Sequence, residues 1–343
     1  MLREAAVAAP ILVVYAGGTF GMRDRGRGLE APVDLRMEMD GILSAGRGST
    51  DHGRVHPWVH APASAIGDSS QSGHGGGLAI ADLIRSASSD GHIGGAVVVH
   101  GTDTLAHVAA QTAFAIADLE LPVAFTGAQK PLGTPGGDAE ANLRDAFAWC
   151  ARSTRGDAAT VVAFGGRTLT AVRATKRSSE EPDGFHAPLA RAESAVGIDE
   201  SLGRALAAAA GHRAPSVGLL TAVPGMPASL VDAALAAFPD GLVLEGFGAG
   251  TFPLDDGRVP EAIRRGVEHG TPVLATTRCP AGSVGLDRYA VGAELAAAGA
   301  VGGADLTAEA AVGKLRALVR AGYAGRDLAR RCAANLIGEQ RSR

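Results

Sequence analysis

The stretch Val97-Val98-Val99-His100-Gly101-Thr102-Asp103-Thr104 constrains this chain more than any other. Three β-branched residues in a row read as a strand buried on both faces, as in a parallel sheet covered by helices. The strand breaks at Gly101, and Leu105-Ala106-His107-Val108-Ala109-Ala110 reads as the opening of a helix. In open α/β sheets, ligand chemistry sits where a strand ends and a helix begins. Backbone N–H groups at that helix start can donate, and a hydroxyl and a carboxylate stand beside them. The stretch reads as half of an active site.

The same rhythm runs through the chain. Ile11–Tyr15, Gly95–His100, Leu121–Phe125 and Ala159–Phe164 read as strands, with a return strand at Leu169–Arg173. Ser216–Thr221, Gly241–Gly246 and Thr271–Thr276 repeat the pattern in shorter form, with helical periodicity between them. At 343 residues the chain exceeds one ordinary core, so two domains are expected. The expectation is an α/β protein: a larger, mostly parallel domain over 1–191, a connection over 192–213 and a smaller Rossmann-like domain over 214–343. The weak periodicity and Ala-rich run between residues 183 and 213 place that connection.

Apolar residues make up 46% and charged residues 20%, which is ordinary for a soluble globular protein. The 32 basic and 36 acidic residues leave a net charge of −4, with no footprint for nucleic acid or an anionic membrane. The three cysteines, Cys150, Cys279 and Cys332, form no C-x-x-C pair, which argues against a disulfide framework or a zinc site. Met1–Val7 lacks the apolar core of a signal peptide, and no run is long enough to span a bilayer. A cytoplasmic protein is expected.

Polar clusters close the first-half strands: Thr19 in a Gly-rich turn, Ser69-Ser70, Thr102-Asp103 and Thr175-Lys176. The carboxyl ends of parallel strands share one rim, so these loops are expected to converge. A threonine hydroxyl is a poor nucleophile unless a base takes its proton. Lysine can serve as that base, a neighbouring aspartate can hold its ammonium, and N–H groups at a helix start can stabilise an oxyanion. The set suits acyl transfer from an amide or ester. Taken singly, Thr19 reads as a tight turn, Asp103 as a helix cap and Lys176 as a solvated side chain; only joint placement favours chemistry.

Other candidates are weaker. His52, His56 and His60 are spaced by four, but Gly53 and Pro57 interrupt any helical metal face. Gly246-Phe247-Gly248-Ala249-Gly250 lacks the spacing of a dinucleotide loop. Cys279, with no base beside it in sequence, reads as a plain buried thiol.

These motifs resemble the bacterial-type L-asparaginase/glutaminase family, and the cytosolic type I branch in particular. Ala16-Gly17-Gly18-Thr19-Phe20 is similar to its T-G-G-T-I motif, and His100-Gly101-Thr102-Asp103-Thr104 matches H-G-T-D-T without change. Thr126-Gly127-Ala128-Gln129-Lys130-Pro131, Asp138-x-x-x-Asn142-Leu143, Thr175-Lys176, the Cys279 to Tyr289 segment and Gly302-x-Ala304-Asp305-Leu306-Thr307-x-Glu309-Ala310 extend the resemblance over nearly the whole chain. It implies hydrolysis of asparagine to aspartate and ammonia without metal or cofactor, by a homodimer or homotetramer whose sites are completed by a neighbouring chain. By the resemblance, Thr19 is the nucleophile of a first triad, and Thr102, Asp103 and Lys176 form a second. Ser69 and Ser70 grip the substrate's α-carboxylate and amino group, Asp103 also takes the amino group, and Gly18 and Gly101 line the substrate.

Three positions depart from the family pattern. The loop Arg23–Pro32 has no tyrosine where the family carries one that activates the first threonine; Leu29 stands at the matching place. Thr251 replaces an asparagine in the later Gly-rich pattern, and Ala16 replaces a threonine. A missing activator can cost roughly 10²- to 10⁴-fold in rate. The alternatives are therefore a silent homologue that binds an amino acid as sensor or partner, or an amidase for another amide.

Overall fold

The structure, a computed structural model, describes residues 9–341 apart from 25, 27, 31–34, 46–55, 62–72, 74, 90, 154–158 and 189–196. In the first half the chain runs β1 (Ile11–Tyr15), a hairpin of β2 (Arg23–Asp24) and β3 (Leu29–Glu30), α1 (Arg36–Ala45), β4 (Trp58–His60) and α2 (Gly76–Ser89). It continues through β5 (Gly95–Val99), α3 (Leu105–Ala115), β6 (Val123–Thr126), α4 (Ala139–Arg152), β7 (Thr160–Phe164) and β8 (Arg167–Thr170). A 3-10 turn at Ala171–Arg173 leads into β9 (Thr175–Lys176), paired with β10 (Phe185–His186).

The first sheet has the order β4-β1-β5-β6-β7-β8 and is parallel except for β8, which returns antiparallel to β7. Side chains alternate across it as a two-residue pleat requires. Leu12, Val14, Ala96 and Val98 enter one core, and Ile11, Val13, Val97 and Val99 enter another beneath α1 and α4. Both faces are covered, which is why these strands read as unbroken apolar runs.

The second half begins with α5 (Glu200–Ala208) and continues β11 (Val217–Thr221), α6 (Ala228–Ala237), β12 (Gly241–Gly246), α7 (Arg258–Glu268) and β13 (Val273–Thr277). Then come α8 (Ala290–Ala297), β14 (Val301–Gly302), α9 (Ala308–Arg320) and α10 (Gly325–Ala333). Its four-stranded sheet, β11-β12-β13-β14, is wholly parallel. The molecule is thus a two-domain α/β fold with a larger and a smaller sheet. The stretch expected as a mere connection contains α5, capped by Asp199, whose carboxylate accepts from Leu202 N at 2.8 Å and pairs with Arg331 at 3.1 Å. Leu202 and Leu206, four residues apart, bury it in the core.

The two domains share one core. Helix α3 is apolar nearly all round, and a helix of that kind must be buried on every side. α2 covers one flank, where Thr112 Oγ1 donates to Gly77 O at 2.9 Å. α9 of the second domain covers another, and there a Cβ on Gly313 would lie 2.9 Å from Gln111 N, so only glycine lets the backbones approach this closely. The chain then turns back after α10. Glu339 is fully buried and ion-paired to Lys314 at 2.7 Å, and its carboxylate accepts from Leu336 N and Ile337 N. Gly338 O accepts from Arg173 Nε of the first domain at 2.9 Å, so this tail joins the domains a second time.

Candidate active site

The register sets the geometry. Tyr15 is level with Val99, and Val99 with Thr126, so β1, β5 and β6 end side by side. The loops that follow them touch. Gly18, at φ +89, lies where a Cβ would fall 2.2 Å from Gly101 Cα, so glycine alone brings the first motif against the second. A Cβ on Gly127 would likewise meet His100 O at 2.3 Å. Thr19 opens a short 3-10 turn on this rim and is half-buried.

Thr102 is buried and Asp103 projects outward, its side chain 73% exposed. Lys176 comes from β9, far along the chain, and its Nζ donates to Thr102 Oγ1 at 2.8 Å and to Asp103 Oδ1 at 2.7 Å. The lysine side chain is 18% exposed. Lys176 is therefore a held group and not a solvated one. Nor does Asp103 cap the helix: Thr104 is the N-cap of α3 and makes no side-chain capping bond. His100 is buried beside them, with Nδ1 2.9 Å from Gly101 O; burial pushes its pKa down, which favours a neutral ring.

The remaining motif residues build the rim. The Asp138 carboxylate accepts from Gln129 N at 2.9 Å and Lys130 N at 3.1 Å. Asn142 donates from Nδ2 to Gly127 O and accepts at Oδ1 from Gly165 N. Gln129 Nε2 donates to Ser178 O at 3.1 Å, tying this loop to the chain just after Lys176. A cavity of about 280 Å³ lies between the domains beside Lys176, with Thr175, Arg173 and His186 on one side and Thr307, Glu309 and Cys279 on the other.

Several expectations change. Ser69 and Ser70 lie outside the described residues, as does His52. Cys279 is exposed and lines the interdomain cavity, contrary to a buried thiol, because it follows the end of β13 and not the strand itself. Leu29 sits in the β2–β3 hairpin opposite Asp24 and is 49% exposed. Of the three tyrosines, only Tyr15 is near Thr19 in sequence. Its ring packs 6.4 Å from Phe20, and burial pushes its hydroxyl well above the usual tyrosine range, with the Arg23 cation opposing in part. Such a hydroxyl stays protonated near neutrality and is unsuited to act as a base. Thr251 closes a tight loop, exchanging backbone bonds with Phe247 at 2.8 and 3.0 Å. His60 bonds Asp40 at 2.7 Å, and among the described residues no group of three His, Cys, Asp or Glu side chains could hold a metal. No helix among them is long and apolar enough to cross a membrane.

Residues 10–201 match the family model described as asparaginase, N-terminal, and residues 216–331 the glutaminase/asparaginase C-terminal domain. The chain belongs to the asparaginase family. This asparaginase-family chain is 28% identical to L-asparaginase 1 of Escherichia coli K12 over 341 residues, covering 96% of the chain and 97% of that relative. It is 31% identical to the human 60 kDa lysophospholipase over 340 residues, covering 92% of the chain but only 58% of that longer protein. In fold it is similar to the thermostable L-asparaginase from Thermococcus kodakarensis, with a TM-score of 0.78 at 24% identity over 97% of this chain and all of that one.

Proposed function

We propose that the protein is an asparaginase-type amidohydrolase that converts L-asparagine and water to L-aspartate and ammonia. The observation that carries this reading is the Lys176 ammonium held between the Thr102 hydroxyl and the Asp103 carboxylate, on the rim that also bears Thr19. Family membership and the near full-length match to a protein named L-asparaginase 1 support it.

In the proposed reaction, the Thr19 hydroxyl attacks the side-chain amide carbon, and its proton passes to the leaving nitrogen, which departs as ammonia. The acyl group is then an ester on Thr19 Oγ. For the second step the Lys176 ammonium first gives up a proton to solvent; Thr102 then takes a proton from the water that attacks the ester and passes its own to the neutral Lys176 Nζ. The proton returns to Thr19 Oγ as the C–O bond breaks and aspartate leaves. Backbone N–H groups at the start of α3 are suited to hold the oxyanion. The exposed carboxylate of Asp103 is free on one side to take the substrate's ammonium, Ser69 and Ser70 take its α-carboxylate, and Gly18 and Gly101 allow the substrate close to the backbone. Side chains suffice for these steps, so no cofactor is invoked. The exposure of Asp103 fits a site completed by a second copy, in a homodimer or homotetramer.

Ammonia release from asparagine, glutamine and β-aspartyl amides tests the reading, with a lysophospholipid ester assayed alongside because of the human relative. No release from any amide above the Thr19→Ala/Lys176→Met double variant would overturn it. The missing loop tyrosine favours one rival, a silent amino-acid binder, which requires saturable aspartate binding in calorimetry without turnover. Leu29→Tyr restores a phenol to an exposed hairpin position and is expected to raise the asparaginase rate, toward the roughly 10²-fold that one positioned acid–base group supplies. An unchanged rate in steady-state assays would show that another residue holds that role.

A further inference from the structure

β9 is only two residues long, and a strand of that length does not hold its own position. Successive residues of an extended chain point to opposite sides. Here Lys176 reaches the first-domain rim, while Thr175 Oγ1 donates to Glu309 Oε1 of the second domain at 2.6 Å. Glu309 lies in the first turn of α9, which Thr307 caps by accepting from Ala310 N. Its carboxylate also acts on His107, in the first turn of α3 just after Thr102 and Asp103; burial lowers the His107 pKa while Glu309 opposes the shift and Arg316 adds to it. One carboxylate therefore touches the strand that carries Lys176 and faces the helix that directly follows its two partners.

We infer that Glu309 is a positioning residue for the Lys176–Thr102–Asp103 set, acting through its hydrogen bond from Thr175. The inference deepens the amidohydrolase reading and rests on it for its kinetic consequences. The bland role for an acid in this place is complementing the dipole of α9. That role predicts a small loss of stability and no specific effect on turnover.

The test compares Glu309→Ala, Glu309→Gln and Thr175→Val. Glu309→Ala is expected to lower kcat roughly 10- to 100-fold, the scale of a small misplacement of a catalytic group, with KM nearly unchanged. Glu309→Gln keeps the acceptor oxygen and is expected to recover most of that loss, whereas a dipole role would not be rescued by a neutral side chain. Thr175→Val combined with Glu309→Ala is expected to cost no more than either alone, because both remove one bond. Equal kcat in Glu309→Ala and the wild type would overturn the inference, as would a loss that follows the folding midpoint and is not rescued by glutamine.

A second readout needs no turnover. The chain has three lysines, Lys130, Lys176 and Lys314, so lysine-selective NMR gives three side-chain signals, with Lys176 assigned by its absence in Lys176→Met. The Lys176 signal is expected to shift in Glu309→Ala while the Lys130 signal stays. An unmoved Lys176 signal overturns the inference whatever the kinetics. A shifted signal in a protein whose wild type releases no ammonia supports the positioning role and counts against the amidohydrolase reading instead.

Discussion

Lys176→Met is expected to lower ammonia release from asparagine roughly 10²- to 10⁴-fold, the usual contribution of a positioned acid–base group. That corresponds to about 3–5 kcal/mol of barrier. Methionine keeps most of the unbranched stem and removes the ammonium. The stability cost is expected to be much smaller. Asp103 is largely exposed, so water takes the lysine's place there, and only the buried Thr102 hydroxyl loses a partner, at about 1 kcal/mol. Urea titration alongside the ammonia assay separates the two effects. Lys176→Arg is expected to fare little better, since a guanidinium keeps the charge toward Asp103 but cannot give up a proton. A rate in Lys176→Met equal to the wild type would remove the lysine from the mechanism.

The largest effect on folding is expected at Lys314. Lys314→Met leaves the Glu339 carboxylate fully buried without its counter-charge, which costs roughly 3–5 kcal/mol. The lysine also donates to Cys332 O at 2.9 Å and to Ala334 O, so the turn after α10 loses its anchor. The freed tail is the one that accepts from Arg173, three residues before Lys176, and that donates from Arg341 N to Asp305 at 2.7 Å. Lys314→Met/Glu339→Gln is expected to be more stable than Lys314→Met alone, because it buries no bare charge while glutamine still offers an acceptor to Leu336 and Ile337. Denaturant midpoints of the three proteins decide this. A loss below about 1 kcal/mol in Lys314→Met would show that the carboxylate is relieved by water or by protonation.

The elements that could be read from the sequence are those whose own residues decide them. β1 and β12 fall on the expected bounds because short apolar runs bounded by turn residues are local signals. The return strand was expected through Arg173, but β8 ends at Thr170 and a 3-10 turn follows. Arg173 is buried against Asp305 at 3.3 Å, a partner in the other domain that no local pattern announces. β4, three residues long, and α8, half of it alanine, carry too little pattern to be seen in advance. Asp138 and Asn142 were legible as motif members, yet their work as supports of the rim loop appears only in their bonds to Gln129, Gly127 and Gly165.

Sequence by itself determined the strand–loop–helix units and singled out the side chains proposed here to do the chemistry: Thr19, Thr102 with Asp103, and Lys176. Those follow from short-range physics, in which a buried strand, a glycine break and a helix start are set by a handful of neighbours. Only the tertiary structure decided that Lys176 meets Thr102 across 74 residues and that Glu309 meets Thr175 across 134. Parallel register brings the strand ends level, and α3, apolar on nearly every side, must be covered by a helix from the second domain. That burial, a property of the whole chain and not of any segment, carries Glu309 to the strand that bears Lys176.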